Sequence, residues 1–170
     1  MARHTGPVLV DTNTIIESFR VGGWRALTGA YGVETVEECV IETQTGFQRR
    51  SPEQQIDNAE LRKSLTKIHP VTDLQLAALA VRSEGIALDE GERALWSHAL
   101  TRSDCWILCG PDKASMRLGV RLGFRERMAA LETLLVAAGY RSGIALKLPY
   151  TQKWLDRILG EFVLAEGMSR

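Results

Sequence analysis

Cysteine and histidine are both scarce in this chain, at three residues each. Cys39, Cys105 and Cys109 form an odd set with no Cys-x-x-Cys pair, and His4, His69 and His98 are scattered with no zinc-ligand spacing. A disulfide framework or a zinc-stapled fold is therefore not expected, and the cysteines read as buried, reduced thiols. Long apolar runs are missing as well, with nothing near the roughly 18 residues of a membrane-spanning helix. The first residues meet the charged Asp11 after only Val8-Leu9-Val10, too few for the apolar region of a signal peptide, so a cytoplasmic location and no membrane partner are expected. Neither sign of charge is in excess, because 21 Lys and Arg balance 21 Asp and Glu, and any polyanion must be met by a local patch. Internal repeats, low-complexity tracts and the Gly-rich signature of a nucleotide-phosphate loop are absent too.

What is present is an ordinary globular composition. Of 170 residues, 45% are hydrophobic, enough to bury one core without covalent or metal staples. Val8-Leu9-Val10 is introduced by Gly6-Pro7 and closed by Asp11-Thr12-Asn13, residue types that turn the chain and cap helices. This predicts a buried strand running directly into a helix. The pattern returns at Cys105-Trp106-Ile107-Leu108-Cys109, where Gly110-Pro111-Asp112 breaks the strand and helical spacing resumes from Lys113 to Leu122. Two such units imply a parallel sheet covered by helices, so the expected fold class is α/β, a three-layer α/β/α sandwich around a mainly parallel sheet. Between them, helical patterns cover Trp24 to Tyr31, Val36 to Phe47, Asp73 to Arg82 and Asp89 to Arg102. The polar stretch from Arg49 to Lys67, with Pro52 in a capped first turn, reads as an exposed helix. Two further helices are predicted at Ala129 to Ala138 and Tyr150 to Leu164.

In parallel α/β sheets, ligands bind beyond the carboxyl ends of the strands. Asp11 and Asp112 both stand there, although an Asp between strand and helix is also a common cap for free backbone N–H groups. Glu92 is more telling. At about 100° per residue, Leu88, Leu95, Trp96 and Ala99 fall within about 60° of it, so its carboxylate lies in an apolar stripe. A buried charge must be compensated, and a divalent cation would do so. The competing reading is a capping box, with Asp89 as cap and Glu92 reaching back to its backbone. Glu42 lies at the edge of the apolar face made by Val36, Val40, Thr43 and Phe47, whereas Glu38 points further toward solvent. Glu42 is thus the second-acid candidate and Glu38 the fallback.

Taken in order, Leu9-Val10-Asp11-Thr12-Asn13, Val40-Ile41-Glu42-Thr43, Gly91-Glu92-Arg93-Ala94 and Leu108-Cys109-Gly110-Pro111-Asp112-Lys113 resemble the PIN-domain family. Arg121-Leu122-Gly123-Phe124 and Leu131-Glu132-Thr133-Leu134-Leu135 look like that family's ending. The resemblance runs from Val8 to about Gly139. It marks residues 1–140 as a nuclease-type domain carrying the polar segment 49–67, and leaves 141–170 as a C-terminal helical extension packed on it. It implies a Rossmann-like sheet and an acidic cluster that holds Mg²⁺ or Mn²⁺ and hydrolyses phosphodiester bonds of RNA. Asp11, Glu42, Glu92 and Asp112 match the acidic positions as metal ligands and catalytic carboxylates, and Asn13 a polar position beside the first Asp that would face substrate. Hard cations prefer oxygen ligands, and a bound metal acidifies water and offsets charge developing on phosphate. Asp112 departs from the pattern in following Gly-Pro, where the family more often has Thr or another acid.

Lys113, Arg117 and Arg121 recur at i, i+4 after Asp112, with Arg125 and Arg127 close behind. Beside an acidic metal site such a row would hold an RNA backbone, or it is simply a solvated helix face. Trp96 and Trp106 read as core, and Trp24 and Trp154 stay open between core and base stacking. The expected activity is that of a metal-dependent endoribonuclease. The alternatives are the toxin component of a toxin–antitoxin module, blocked by a protein antitoxin, and a non-catalytic binding module that keeps the fold. Besides RNA and an antitoxin, a second copy of the chain is a partner considered. A phosphatase with an aspartyl nucleophile is disfavoured, because position 13 is Asn where that chemistry usually needs a second Asp.

Overall fold

The computed structural model describes residues 2–46 and 49–167. Strands β1 (Val8–Val10), β2 (Val33–Val36), β3 (Lys67–His69) and β4 (Ile107–Cys109) form one sheet in the order β3-β2-β1-β4. Every neighbouring pair is parallel. Parallel pairs need crossovers, and helices supply them. The crossovers are α1 (Thr12–Arg20) and α2 (Trp24–Ala30), α3 (Glu37–Gln44) and α4 (Asn58–Ser64), and α5 (Asp73–Arg82) and α6 (Glu90–Ala99); α7 (Lys113–Arg121), α8 (Leu131–Ala137) and α9 (Gln152–Gly167) follow the last strand.

Strand side chains alternate between faces, and the two faces carry separate cores. Leu9, Val36 and Leu108 point into a core shared with Leu79 of α5, Leu95 and Trp96 of α6, Leu118 of α7 and Ile158 of α9. Val8, Val10, Val33 and Cys109 point the other way, against Ile15 of α1, Leu27 of α2, Val40 of α3, Leu61 of α4 and Leu131 of α8. The molecule is therefore a three-layer α/β sandwich with an all-parallel central sheet. Among the described residues, no helix is long and apolar enough to cross a membrane.

Register sets where the functional groups land. Val8 pairs with both Val33 and Ile107, and Val10 with Cys109, so β1 and β4 end level and Asp11 comes to lie beside Gly110. A Cβ on Gly110 would sit 3.1 Å from the Asp11 carboxyl carbon, so glycine lets the two strand ends close up without displacing that carboxyl by a few tenths of an ångström.

Several sequence expectations are corrected. The polar stretch 49–67 is not one helix. It holds a 3₁₀ turn at Pro52–Gln54, then α4, then the edge strand β3, and it buries Ile56 and Leu61. Val36 belongs to β2 and caps α3 instead of lying within it, and Phe47 falls outside the described residues. β4 starts at Ile107, because Cys105 and Trp106 lead into the strand without joining its ladder. Cys39 and Cys109 are buried free thiols, but Cys105 is exposed. All four tryptophans are core, Trp24 and Trp154 included; the Trp24 indole donates to Ser64 Oγ at 2.8 Å.

Candidate functional site

At the carboxyl end of the sheet, Asp11, Thr12, Asn13, Glu42, Asp89 and Glu92 line a cleft of about 80 Å³. Each acid is held by backbone or by a neighbour. Asp11 caps α1 by accepting from the Thr14 amide at 2.7 Å, and is almost fully buried. Glu42, on α3, accepts from the Thr12 hydroxyl at 2.7 Å and from the Gly91 amide at 3.0 Å. That second bond ties α3 to the first turn of α6. A Cβ on Gly91 would lie 2.6 Å from Glu42 Oε2, so this close approach also requires glycine.

Glu92 and Asp89 form a full capping box. The Glu92 amide donates to Asp89 Oδ1 at 2.8 Å, and the Asp89 amide donates to Glu92 Oε2 at 3.2 Å. Asp112 caps α7, accepting from the amides of Ala114 and Ser115. Capping does not exhaust Glu92, which also reaches Asp112 with its side chain.

The electrostatics are those of acids crowded without counter-charge. Among the described residues, no ion pair engages Asp11, Glu42, Asp89, Glu92 or Asp112. Burial, and then the charges of Asp89 and Asp112, push the Asp11 carboxyl up to about 7 against its hydrogen bonds from Thr14. Burial pushes Glu92 up to about 9, with Asp112 and Asp89 adding to the effect. Such a set of hard oxygen donors fits a divalent cation by its chemistry. The spacing adds a restriction: no three of these carboxylates bring one oxygen each within 4.8 Å of the others. An ion here would take one or two carboxylates directly and reach the rest through water, the usual habit of Mg²⁺.

The sequence-derived residues are distributed as follows. Asp11, Glu42 and Glu92 line the cleft; Asp112 does not line it, but its side chain meets that of Glu92 and its charge bears on Asp11. Asn13 lines the cleft with an exposed side chain, and its carbonyl accepts from the Tyr150 hydroxyl at 3.3 Å. Glu38 is not part of the cleft, and its Oε2 is buried without a hydrogen-bond partner instead of facing solvent. Lys113 is exposed at the start of α7. Arg117 and Arg121 are engaged by Glu166 of α9, and Arg121 also donates to the Glu84 carbonyl at 2.6 Å, so this row ties helices together. Two members of the cleft were not singled out from the sequence. Asp89 reads there only as a cap, and Thr12 only as a turn residue.

A second polar cluster lies at the other end of α6, where the sequence shows no ligand spacing. Glu34 of β2 accepts from His69 Nε2 at 2.6 Å and from Arg102 Nη1 at 2.6 Å. The His69 and His98 rings stack with centroids 3.8 Å apart, and Arg102 Nη1 lies 3.0 Å from His98 Nε2. Burial and the neighbouring charges of His69 and Arg102 push His98 down to about 4, so its ring is neutral and accepts from Arg102. Burial alone would raise Glu34, but its bonds to His69 and Arg102 hold it below the ordinary carboxylate range.

Comparison with protein-family models finds no matching family, and no curated protein matches the chain.

Proposed function

We propose that the chain is a divalent-metal-dependent ribonuclease of PIN-like kind, acting through the cleft at the carboxyl end of its sheet. The observation that carries this reading is the gathering of Asp11, Glu42, Asp89 and Glu92 around one cleft, with Asp112 against Glu92 and no basic partner for any of them among the described residues. Acids that merely capped helices would gain nothing from crowding; here crowding raises the cost of ionising Asp11 and Glu92, which a cation repays.

Asp11 and Asp112, at the level ends of β1 and β4, would hold Mg²⁺ or Mn²⁺, with Glu92 and Glu42 as further ligands through water. When bound, the ion supplies a water acidified to a nucleophile and offsets charge on the phosphate undergoing attack. The chain's own residues do the rest. Thr12 and the Gly91 amide fix both Glu42 oxygens, and the capping box fixes the Glu92 side chain. Glu92, oriented by the capping box and lining the cleft, is placed to exchange a proton with a water there. Asn13 and Lys113, both exposed beside the acids, would contact the RNA backbone. Arg117 and Arg121 would contribute less, because Glu166 already takes their charge.

The test is cleavage of single-stranded RNA with and without Mn²⁺. The expected outcome is metal-stimulated cleavage that Asp11→Asn abolishes while the melting temperature stays at or above that of the wild type. Cleavage that persists in Asp11→Asn at the wild-type rate would remove the assignment.

A further inference from the structure

We propose that Glu34, His69 and His98 form a binding site for a transition-metal dication such as Zn²⁺, which takes the place that the Arg102 guanidinium holds. The inference is independent of the nuclease reading and concerns a different part of the molecule.

Three side chains able to offer a lone pair to a metal converge, from three rigid elements, on one cationic point; His69 does so once the Nε2 proton it gives to Glu34 is released. Glu34 comes from β2, His69 from the end of β3 and His98 from the last turn of α6, and one donor atom of each lies within 4.8 Å of the others. Arg102 Nη1 stands among them, 2.6 Å from Glu34 Oε2, 3.0 Å from His98 Nε2 and 3.3 Å from His69 Nε2. Two imidazoles and a carboxylate are a donor set that suits Zn²⁺ and its borderline neighbours, whereas the oxygen-only cleft at the other end of α6 suits Mg²⁺. The chain thus carries a hard and a softer cation site at opposite ends of one helix.

Arg102 can leave without losing all its partners. Its Nε and Nη2 are bound to Asp104 at 2.9 and 2.6 Å, and Asp104 lies toward solvent. A hollow of about 340 Å³ lined by Glu34, His69, Arg102 and Asp104 opens beside the cluster. It gives an ion a way in and leaves space for water as the fourth ligand. Zinc–nitrogen bonds of about 2.1 Å are shorter than the distances to Nη1, so the two stacked rings must tilt toward the ion as it binds. The balance is between a guanidinium bonded to Glu34 and His98, with His69 donating to Glu34, and a dication coordinated by all three, the His69 Nε2 proton passing to solvent as the ion binds.

Isothermal titration of the full chain with Zn²⁺, and the visible spectrum of its Co²⁺ form, test this. With excess Mg²⁺ present to occupy the acidic cleft, one further ion per chain is expected. His98→Ala and His69→Ala should each weaken binding by at least the roughly tenfold that loss of even an outer partner costs. Arg102→Gln should tighten it by at least about tenfold, because the charge-assisted hydrogen bonds from Nη1 to Glu34 and His98 no longer compete. The Arg102→Gln result keeps the test decisive even if a histidine variant folds poorly. Asp11→Asn should leave Zn²⁺ affinity unchanged. Binding that is insensitive to both histidines, that falls with Asp11→Asn instead, or that is absent from both the wild type and Arg102→Gln overturns the proposal.

Discussion

Glu92 shows how one side chain serves two purposes. Its backbone and carboxylate complete the capping box with Asp89, and the same carboxylate, 6% exposed, meets Asp112 across the cleft. Only the first of these is local, so only the capping box and the apolar stripe are legible in the sequence; the contact with Asp112 depends on how β4 aligns with β1. A pH dependence follows. Asp11 and Glu92 are raised to about 7 and about 9, so the folded chain keeps protons that the unfolded chain gives up near pH 4. Their contribution to stability is complete below that range and is lost as pH rises toward 7 and 9. Gln keeps the capping box but carries no charge. In metal-free buffer at pH 8, Glu92→Gln should therefore stabilise the fold by more than about 1 kcal/mol, the worth of one pKa unit. Thermal melts at pH 5 and pH 8 check this, and a variant that melts below the wild type at pH 8 contradicts it.

At the scale of elements, β1 and β4 are legible because apolar runs end in turn-forming residues. β2 is not, because Glu34 and Thr35 stand in its middle and are both buried. Thr35 is satisfied by the Val10 carbonyl at 2.6 Å, and Glu34 by His69 and Arg102, 35 and 68 positions away in the chain. Read locally, such a strand looks like the start of α3. The same holds for the segment between α8 and α9, whose Gly- and Pro-broken sequence lacks helix or strand periodicity and hides a strap along α1. Tyr140 and Ser142 hydroxyls donate to the Val21 carbonyl, Arg20 to the Ala145 carbonyl, the Lys147 amide to Glu17, and Tyr150 to the Asn13 carbonyl. The strap thus follows α1 from its last turn to its first and ends beside the acidic cleft. Glu17, 1% exposed, is its central anchor. Burial alone would raise this carboxyl, but bonds from Arg20 and the Lys147 amide hold it below 4.5, so its contribution is present above that pH and lost below it. Glu17→Ala should cost about 2–3 kcal/mol through lost charge-assisted bonds and speed proteolysis within 141–149. Unchanged stability and proteolysis would show that the strap is held elsewhere.

At the scale of the whole molecule, the residues beyond the family resemblance are not a separable appendage. Trp154, Leu155, Ile158 and Leu159 of α9 are buried in the core that also holds Leu9, Trp96 and Leu118. At about 1.5–3 kcal/mol for each large side chain buried, their sum rivals the whole 5–15 kcal/mol stability of a typical domain. A chain ending at Thr151 should therefore lose its cooperative melt and near-ultraviolet circular dichroism, and a truncated form that melts like the wild type would refute this. The strand order has a further consequence, for biosynthesis. β1 is an inner strand whose partners are β2, close behind it, and β4, roughly a hundred residues downstream. At ribosomal rates of about 5–20 residues per second, one flank of β1 stays without its native neighbour for roughly 5–20 s. Through that interval the nascent polypeptide presents an open, apolar ribbon to its surroundings, and factors that shelter emerging chains would have most effect there.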